Sequence, residues 1–123
     1  MKQKRKKQIQ ITNTAIIMYH LLEKYLKGKK VSFTAYYLLR HLLDMKKKSV
    51  EMLMRSVAQF ASISTAAATG LVDGMEKEEY VTRTLSLEDR RKRLVRITPK
   101  GHELVSEFDA YYEQNRKECF LPV

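Results

Sequence analysis

The chain has 123 residues, of which 24 are Lys or Arg and 14 are Asp or Glu, giving a formal net charge of +10. This length is typical of one domain, and a hydrophobic content of 44% is sufficient for a small core. The single Cys119 excludes an internal disulfide framework, which is typical of a reducing cytoplasm. The positive charge favours a polyanionic partner, although charge alone does not distinguish DNA from RNA or from an anionic membrane.

The first part of the chain combines a basic segment with a predicted helix. Residues 1–7 are rich in Lys and Arg and are expected to form a flexible arm. A helix is predicted over about Gln8–Leu26, because apolar residues recur there every three or four positions. The face that they form either belongs to the core of one chain or is shared with a second subunit, and we expect it to be shared. Its members are Ile11, Ala15, Met18, Leu22 and Tyr25.

Neither a signal peptide nor a membrane-spanning helix is predicted. The apolar run at residues 15–18 is soon interrupted by His20, Glu23 and Lys24, and no small-residue cleavage site follows it. A bilayer span needs roughly 20 apolar residues, which the chain does not have in succession. We therefore expect a cytoplasmic protein with no membrane partner.

Gly28 and Ser32 mark the passage from the first helix to the second. Glycine is the preferred residue after a helix end, and serine is a preferred N-cap. The second helix is predicted over about Phe33–Met45, and its apolar spacing suits a buried element. The residues expected in its buried face are Ala35, Leu38, Leu39, Leu42 and Met45.

Two more helices are predicted between residues 49 and 79, separated by a short turn. Ser49 is the expected N-cap of a third helix near Val50–Phe60, and Ser64 is the expected N-cap of a fourth that reaches about Glu79. The buried positions predicted for these two helices are Leu53, Val57, Ala58, Leu71, Val72 and Met75.

The sequence period changes to two after these helices, which indicates a β-hairpin. Its strands are predicted at Tyr80–Leu85 and Lys92–Thr98, joined by the polar loop Ser86–Arg91. Thr98 and Pro99 then predict the start of a last helix, because threonine caps helices and proline is favoured in the first turn. Four residues of the apolar stripe on this helix are expected to complete the dimer surface: Leu104, Phe108, Tyr111 and Tyr112.

This order of elements predicts a mainly α fold with a small antiparallel β-hairpin, the winged helix-turn-helix. A single domain is expected over residues 8–123, with dimerisation helices at 8–28 and 99–118, a DNA-binding core at 31–98 and a wing at 80–98. The second helix of such a unit fits the major groove, and a two-stranded ribbon can lie along the neighbouring backbone or minor groove. Arginine suits the tip of the ribbon, because a narrow minor groove concentrates negative potential.

Several motifs resemble the MarR family of transcription regulators. Residues 57–64, Val-Ala-Gln-Phe-Ala-Ser-Ile-Ser, resemble that family's first helix and turn, and residues 69–77, Thr-Gly-Leu-Val-Asp-Gly-Met-Glu-Lys, resemble its recognition helix. Tyr80–Arg83 resembles the first wing strand. The most specific match is Glu-Asp-Arg-Arg at 88–91 followed by Val-Arg-Ile-Thr-Pro-Lys-Gly at 95–101. The resemblance covers about residues 31–105.

The resemblance implies a homodimer that binds double-stranded DNA. Arg90 and Arg91 would contact the minor groove and its phosphates, and Asp89 would brace one of them. The recognition helix would face the major groove with small side chains. The full set of expected DNA-contacting residues is Ser64, Thr65, Ala67, Ala68, Thr69, Arg83, Asp89, Arg90, Arg91 and Arg93.

The sequence departs from the family pattern in its recognition helix and before the wing. Glu79 stands where the family usually has glycine, so the turn forms without the residue that most easily adopts positive φ. Gly70 and Gly74 lie inside the recognition helix, where each costs about 1 kcal/mol relative to alanine. No Arg, Lys, Asn or Gln lies between Ser64 and Glu76, so base readout is expected to be weak and binding to depend on phosphates and DNA shape.

The remaining chemistry-bearing residues are interpreted mainly as structural. The three histidines lie on different predicted helices, so we predict no metal site and no other cofactor. Cys119 is either a redox-sensitive thiol or a plain buried cysteine, and the second is favoured because its neighbourhood is not strongly basic. Four tyrosines either line a pocket for a small aromatic effector or simply pack: Tyr19, Tyr25, Tyr36 and Tyr37.

We therefore expect a DNA-binding transcription regulator that acts as a repressor rather than as an activator, and we do not expect an enzyme. The alternative is a protein-interaction adaptor built on a degenerate winged helix. The small, uncharged recognition face motivates this alternative, since it provides few groups that read bases.

Overall fold

The computed structural model describes residues 8–122 and contains five α-helices and five short strands in that range. The predicted basic arm at residues 1–7 lies outside the described residues. The elements in chain order are β1 (Gln8–Gln10), α1 (Thr14–Leu26), α2 (Phe33–Lys47), β2 (Met52–Leu53), α3 (Met54–Ala61), α4 (Thr65–Lys77), β3 (Val81–Leu85), β4 (Arg93–Ile97), α5 (Pro99–Asn115) and β5 (Phe120–Pro122).

The predicted start of α1 at Gln8 is wrong. Gln8–Gln10 pairs antiparallel with Phe120–Pro122, so this segment is a strand and is held by residues more than one hundred positions away. The helix begins at Thr14 because the Asn13 side chain accepts hydrogen bonds from the backbone N–H groups of Ala15 and Ile16, at 3.0 and 3.2 Å. Local periodicity does not contain this long-range pairing.

The predicted caps around α2 are confirmed. Gly28 follows the end of α1 with a φ of +83°, a conformation that glycine adopts without steric cost. The Ser32 hydroxyl accepts a hydrogen bond from the N–H of Ala35 at 3.1 Å, and α2 continues to Lys47. Both turns are therefore determined by the local sequence.

The predicted start of α3 at Val50, with Ser49 as its cap, is wrong. Ser49 has a φ of +57° and belongs to the turn that ends α2. Met52 and Leu53 are drawn into the sheet instead, opposite Val95 and Leu94. The helix begins only after this strand, and no side chain caps it.

The hairpin and the last helix are confirmed. β3 and β4 pair antiparallel with Arg83 opposite Val95, and β2 extends them to a three-stranded sheet in the order β2-β4-β3. The Thr98 hydroxyl accepts a hydrogen bond from the N–H of Gly101 at 3.1 Å and so caps α5, with Pro99 in its first turn.

The core is continuous and joins α1, α2 and α5 to the helix-turn-helix and the sheet. Several residues predicted for the dimer surface lie inside this core of the single chain. Ile11, Leu22, Leu104 and Phe108 are buried, whereas Ala15 is exposed. Met18, Tyr25, Tyr111 and Tyr112 are half-buried against the core. Within residues 8–122, no helix is both long enough and apolar enough to cross a membrane.

Candidate nucleic-acid interface

Two serines shape the turn between α3 and α4. Ser62 ends α3 in the left-handed conformation, with a φ of +54°. Ser64 then caps α4 as predicted, because its hydroxyl accepts a hydrogen bond from the N–H of Ala67 at 3.1 Å. The turn therefore fixes the angle at which α4 leaves the body of the protein.

One face of α4 packs into the core and the other is open. Val72 and Met75 are buried as predicted, and Leu71 is half-buried. Ala68 is also buried, with 2% of its surface exposed, so its assignment to the DNA-facing side is wrong. The reason is helical geometry: residues 68, 72 and 75 follow one another at spacings of four and three and share a face.

The open face of α4 carries small, uncharged side chains. Thr65, Ala67 and Thr69 are exposed, as predicted, and so is the capping residue Ser64. The Thr69 hydroxyl donates a hydrogen bond to the Thr65 carbonyl at 3.1 Å, which satisfies its proton within the helix. This face can approach another surface closely, but it offers mainly methyl groups and hydroxyls.

The wing tip is a short loop held by its own hydrogen bonds. The Ser86 N–H donates to the Lys92 carbonyl at 2.9 Å, and the Lys92 N–H donates to the Asp89 carbonyl at the same distance. The Asp89 carboxylate accepts from the backbone N–H and the Nε of Arg91, at 3.1 and 3.2 Å. The hydrogen bonds from Arg91 hold the pKa of Asp89 below its usual range. The predicted brace therefore forms with Arg91, and both Arg90 and Arg91 remain exposed.

Arg83 lies between the wing and the recognition helix. Its Nη2 is 2.7 Å from the Asp73 carboxylate and 2.9 Å from that of Glu76, and its backbone N–H donates to the other Glu76 oxygen at 3.1 Å. These bonds hold the pKa of Glu76 below its ordinary value. Arg83 was predicted as a DNA contact, and the structure gives it two carboxylate partners on α4 instead.

A basic cleft separates the start of α3 and α4 from the wing. Its cations are Arg55, Arg91, Lys92 and Arg93, and its volume is about 290 Å³. Its remaining lining comes from residues of α3 and α4 and from Leu53: Leu53, Met54, Ala58, Thr65, Ala68 and Thr69. The sequence prediction missed Arg55. It started α3 at Val50 and so placed Arg55 in the middle of the helix, whereas the structure places it in the first turn. No local signal in the sequence marks this residue.

The other candidate residues have structural surroundings. Tyr19 stacks on Phe33 with ring centroids 5.1 Å apart, and Tyr25 and Tyr36 both pack on Phe108. Cys119 is buried, and its carbonyl accepts a hydrogen bond from Ile11 at 2.8 Å. In the part of the chain that the structure describes, no group of three or more His, Cys, Asp or Glu residues is placed to hold a metal.

A helix-turn-helix followed by a basic β-hairpin, the wing, defines a winged-helix protein. The family model described as "MarR family" matches residues 30–92, which is just over half of the chain. The chain belongs to the MarR family. The members of this family are transcription regulators rather than enzymes.

Individual relatives agree with this membership. The chain is 29% identical over 91 residues to the HTH-type transcriptional repressor YetL of Bacillus subtilis, a match that covers 74% of this chain and 53% of YetL. The chain thus spans about half the length of that relative. Solved structures with the same fold include S. aureus MepR in a DNA complex, with a TM-score of 0.70, 15% identity and coverage of 81% of this chain and 79% of MepR.

Two further structures have a similar fold. The transcriptional regulator Tm0710 of Thermotoga maritima has a TM-score of 0.70 and 21% identity, with coverage of 81% of this chain and 68% of Tm0710. The heme sensor PefR of Streptococcus agalactiae has a TM-score of 0.64 and 24% identity, with coverage of 85% of this chain and 76% of PefR. At these identities the similarity concerns the fold.

Proposed function

We propose that this chain regulates transcription, most simply as a repressor, by binding double-stranded DNA as a homodimer. The observation that carries the proposal is a continuous surface made of the open face of α4 and the cations of the wing. In residues 8–122, none of the ion pairs includes Arg90, Lys92 or Arg93. Unpaired cations beside an insertable helix are the groups that neutralise DNA phosphates.

Relatives of the chain support this function. MepR, which shares the fold, is described in complex with DNA, and YetL is named a transcriptional repressor. A regulator that binds DNA must share a compartment with that DNA, so the predicted cytoplasmic location belongs to the same proposal.

The composition of α4 determines how the DNA is read. Its exposed Thr and Ala side chains can contact thymine methyl groups, and its hydroxyls can bond to either base of a pair. Bidentate base contacts are not available from these residues. Affinity therefore comes mainly from phosphates at the wing, and selectivity comes from groove shape and from the close approach of α4.

The homodimer is proposed to use the exposed side of α1 together with the half-buried aromatic residues of α5. Ile16 and Tyr19 are exposed by 49% and 55%, although they are large and mostly apolar. Tyr111 and Tyr112 on α5 were predicted for the same surface. A dimer would bury these side chains and place two wings at a fixed spacing on the DNA.

A small aromatic effector belongs to the proposal as well. PefR is described in complex with heme, and MepR is described bound to ethidium bromide. Two tyrosines of the predicted set are open enough to contact such a molecule in one chain, Tyr19 and Tyr37, which are exposed by 55% and 47%. Tyr19 is also proposed for the dimer surface, so Tyr37 is the one that would stay open in the dimer.

Selection from a random duplex library tests DNA binding and yields the binding sequence in one experiment. The selected duplex is then titrated over a range of salt concentrations with the wild-type chain and with a chain carrying both Arg90→Ala and Arg91→Ala. The logarithm of the affinity is expected to fall less steeply with salt in the double variant, by about 0.9 for each lost phosphate contact. An unchanged slope would contradict the assignment of the wing.

The small, uncharged face of α4 also motivates the alternative, an adaptor that binds protein. Retention on heparin and on random duplex DNA at moderate salt separates the two functions. The regulator is retained on both columns because its cations release counterions from either polymer. A chain that passes through both columns would be the adaptor.

A further inference from the structure

The basic cleft between the wing and the helix-turn-helix is lined by several cations and by no acidic residue. Arg55, Lys92 and Arg93 line it, and within residues 8–122 none of the three belongs to an ion pair. Cations that converge on one cleft without an acidic partner repel one another, and an anion would remove this repulsion.

Strand pairing places Arg55 at the root of the wing. Leu53 lies opposite Leu94 in the sheet, so Arg55 follows β2 at the level where Arg93 begins β4. The cation from α3 and the cation from the wing therefore belong to neighbouring segments. Strand pairing in the sheet sets both positions, since Arg93 itself pairs with Leu85 of β3.

The start of α3 contributes a second attraction for an anion. Arg55 lies in the first turn of this helix, where the helix dipole is positive and a cation is unfavourable. The residue before the helix, Leu53, makes no capping hydrogen bond with its side chain. The first N–H groups of α3 are thus not satisfied by a cap, and they point in the direction from which the dipole attracts negative charge.

We propose that this cleft binds the phosphodiester backbone of one DNA strand, and that Arg55 is its principal cation outside the wing. The inference rests on the proposed function. The strand would pass between α3 and the wing with its phosphates near Arg55 and Arg93. The apolar floor would lie beneath the sugars. Arg55 then fixes the register of the protein on the duplex, while α4 enters the adjoining groove.

The experiment pairs a protein variant with a DNA variant. Single methylphosphonate groups, which lack the phosphate charge, are placed along the selected duplex, and affinities are measured for the wild type and for Arg55→Ala. One or two adjacent positions are expected to weaken binding by the wild type about tenfold, the loss of one charge-assisted hydrogen bond. The same positions are expected to have no further effect on Arg55→Ala, because the contact has already been lost.

Two control variants interpret the result. Lys27→Ala removes an exposed cation after α1, an element that packs on α5 and α2, and it is expected to leave every position unchanged. Arg55→Lys keeps the charge and is expected to recover most of the affinity, and thermal melting confirms that each variant is folded.

If Arg55→Ala binds like the wild type, or if its losses simply add to those of every methylphosphonate, the cleft is not a phosphate site and the proposed function is unaffected. If the wild type does not bind duplex DNA, the proposed function and the cleft site are both wrong.

Discussion

Arg83 of the wing donates two hydrogen bonds to the carboxylate of Glu76 on the recognition helix, one from its backbone N–H at 3.1 Å and one from its guanidinium at 2.9 Å. The same guanidinium is 2.7 Å from Asp73. The arginine therefore connects the two elements that would contact DNA. Its charge is already matched by carboxylates on α4.

This arrangement predicts different roles for Arg83 and Arg90, which the sequence analysis both assigned to DNA contact. Arg83→Ala is expected to lower the thermal midpoint, because two carboxylates on α4 lose their partner, and to leave the salt slope of DNA binding unchanged. Arg90→Ala is expected to do the opposite: the midpoint stays the same, and the slope decreases by about 0.9. A salt titration and a thermal melt of both variants measure the two effects. A smaller slope for Arg83→Ala would show that it contacts phosphate.

The contact between Arg83 and Glu76 should also depend on pH. The pKa of Glu76 is lower in the folded chain than its ordinary value, so the folded state binds this proton less readily than the unfolded state does. The stability from this contact is thus complete above the ordinary glutamate pKa of about 4.3, and it is lost as the pH falls through the lowered value. Glu76→Gln is expected to melt at a lower temperature than the wild type at pH 7, and the difference should vanish in acid.

Glu88→Gln, a change in the wing loop, is the matched control. A difference that persists unchanged at low pH would contradict this account.

A third prediction concerns Glu79, which has a φ of +66° in the turn between α4 and the wing. This conformation costs a residue with a side chain about 1–2 kcal/mol of stability. It has no such cost for glycine, although glycine loses more conformational entropy on folding. Glu79→Gly is therefore expected to raise the free energy of unfolding by about 0.5–1 kcal/mol, as measured by urea denaturation. Glu79→Ala removes the same carboxylate and keeps the strain, so it is expected to have little effect. If Glu79→Gly and Glu79→Ala changed the free energy of unfolding equally, the positive φ at this position would not reduce stability.

The sequence predicts those parts of the fold that local chemistry determines. Ser32, Ser64 and Thr98 cap helices where they were expected to, because a cap needs only its own side chain and the next turn. The strand at Gln8–Gln10 and the strand at Met52–Leu53 were missed, because their partners are distant in the chain. Neither segment contains a local signal strong enough to contradict a helix.

The candidate site divides in the same way. The wing and its tip follow from motif and period, and they were predicted at the correct residues. The ion pairs of Arg83, the burial of Ala68 and the position of Arg55 depend on how α3, α4 and the sheet pack together. The sequence contains the cations, but it does not determine which of them form ion pairs with carboxylates in the folded chain.

A fourth prediction concerns Gly101, at the first turn of α5. A Cβ at this position would lie 2.5 Å from the Tyr80 carbonyl oxygen and 2.7 Å from Cγ1 of Ile97. The backbone of Tyr80 cannot move aside easily, because its carbonyl also accepts a hydrogen bond from Thr98. Gly101→Ala is therefore expected to destabilise the protein by about 1–3 kcal/mol, the range for overpacking. Urea denaturation measures this loss, and a neutral result would mean that α5 can shift away from the sheet.

The glycines of the recognition helix predict the reverse, and they connect stability with function. Nothing lies within 4 Å of a Cβ built on Gly70 or on Gly74, so packing in the single chain does not require glycine at either position. Gly70→Ala and Gly74→Ala are each expected to stabilise the helix by about 1 kcal/mol.

DNA binding is expected to change in the opposite direction. If α4 lies in a major groove with its open face against the bases, an added methyl group at Gly70 separates the two surfaces, and affinity for the selected duplex falls. Ser106→Ala on the exposed side of α5 provides a matched surface change away from the wing. A Gly70→Ala variant that is more stable and binds DNA as tightly as the wild type would show that the wing alone holds the duplex, with α4 outside the groove.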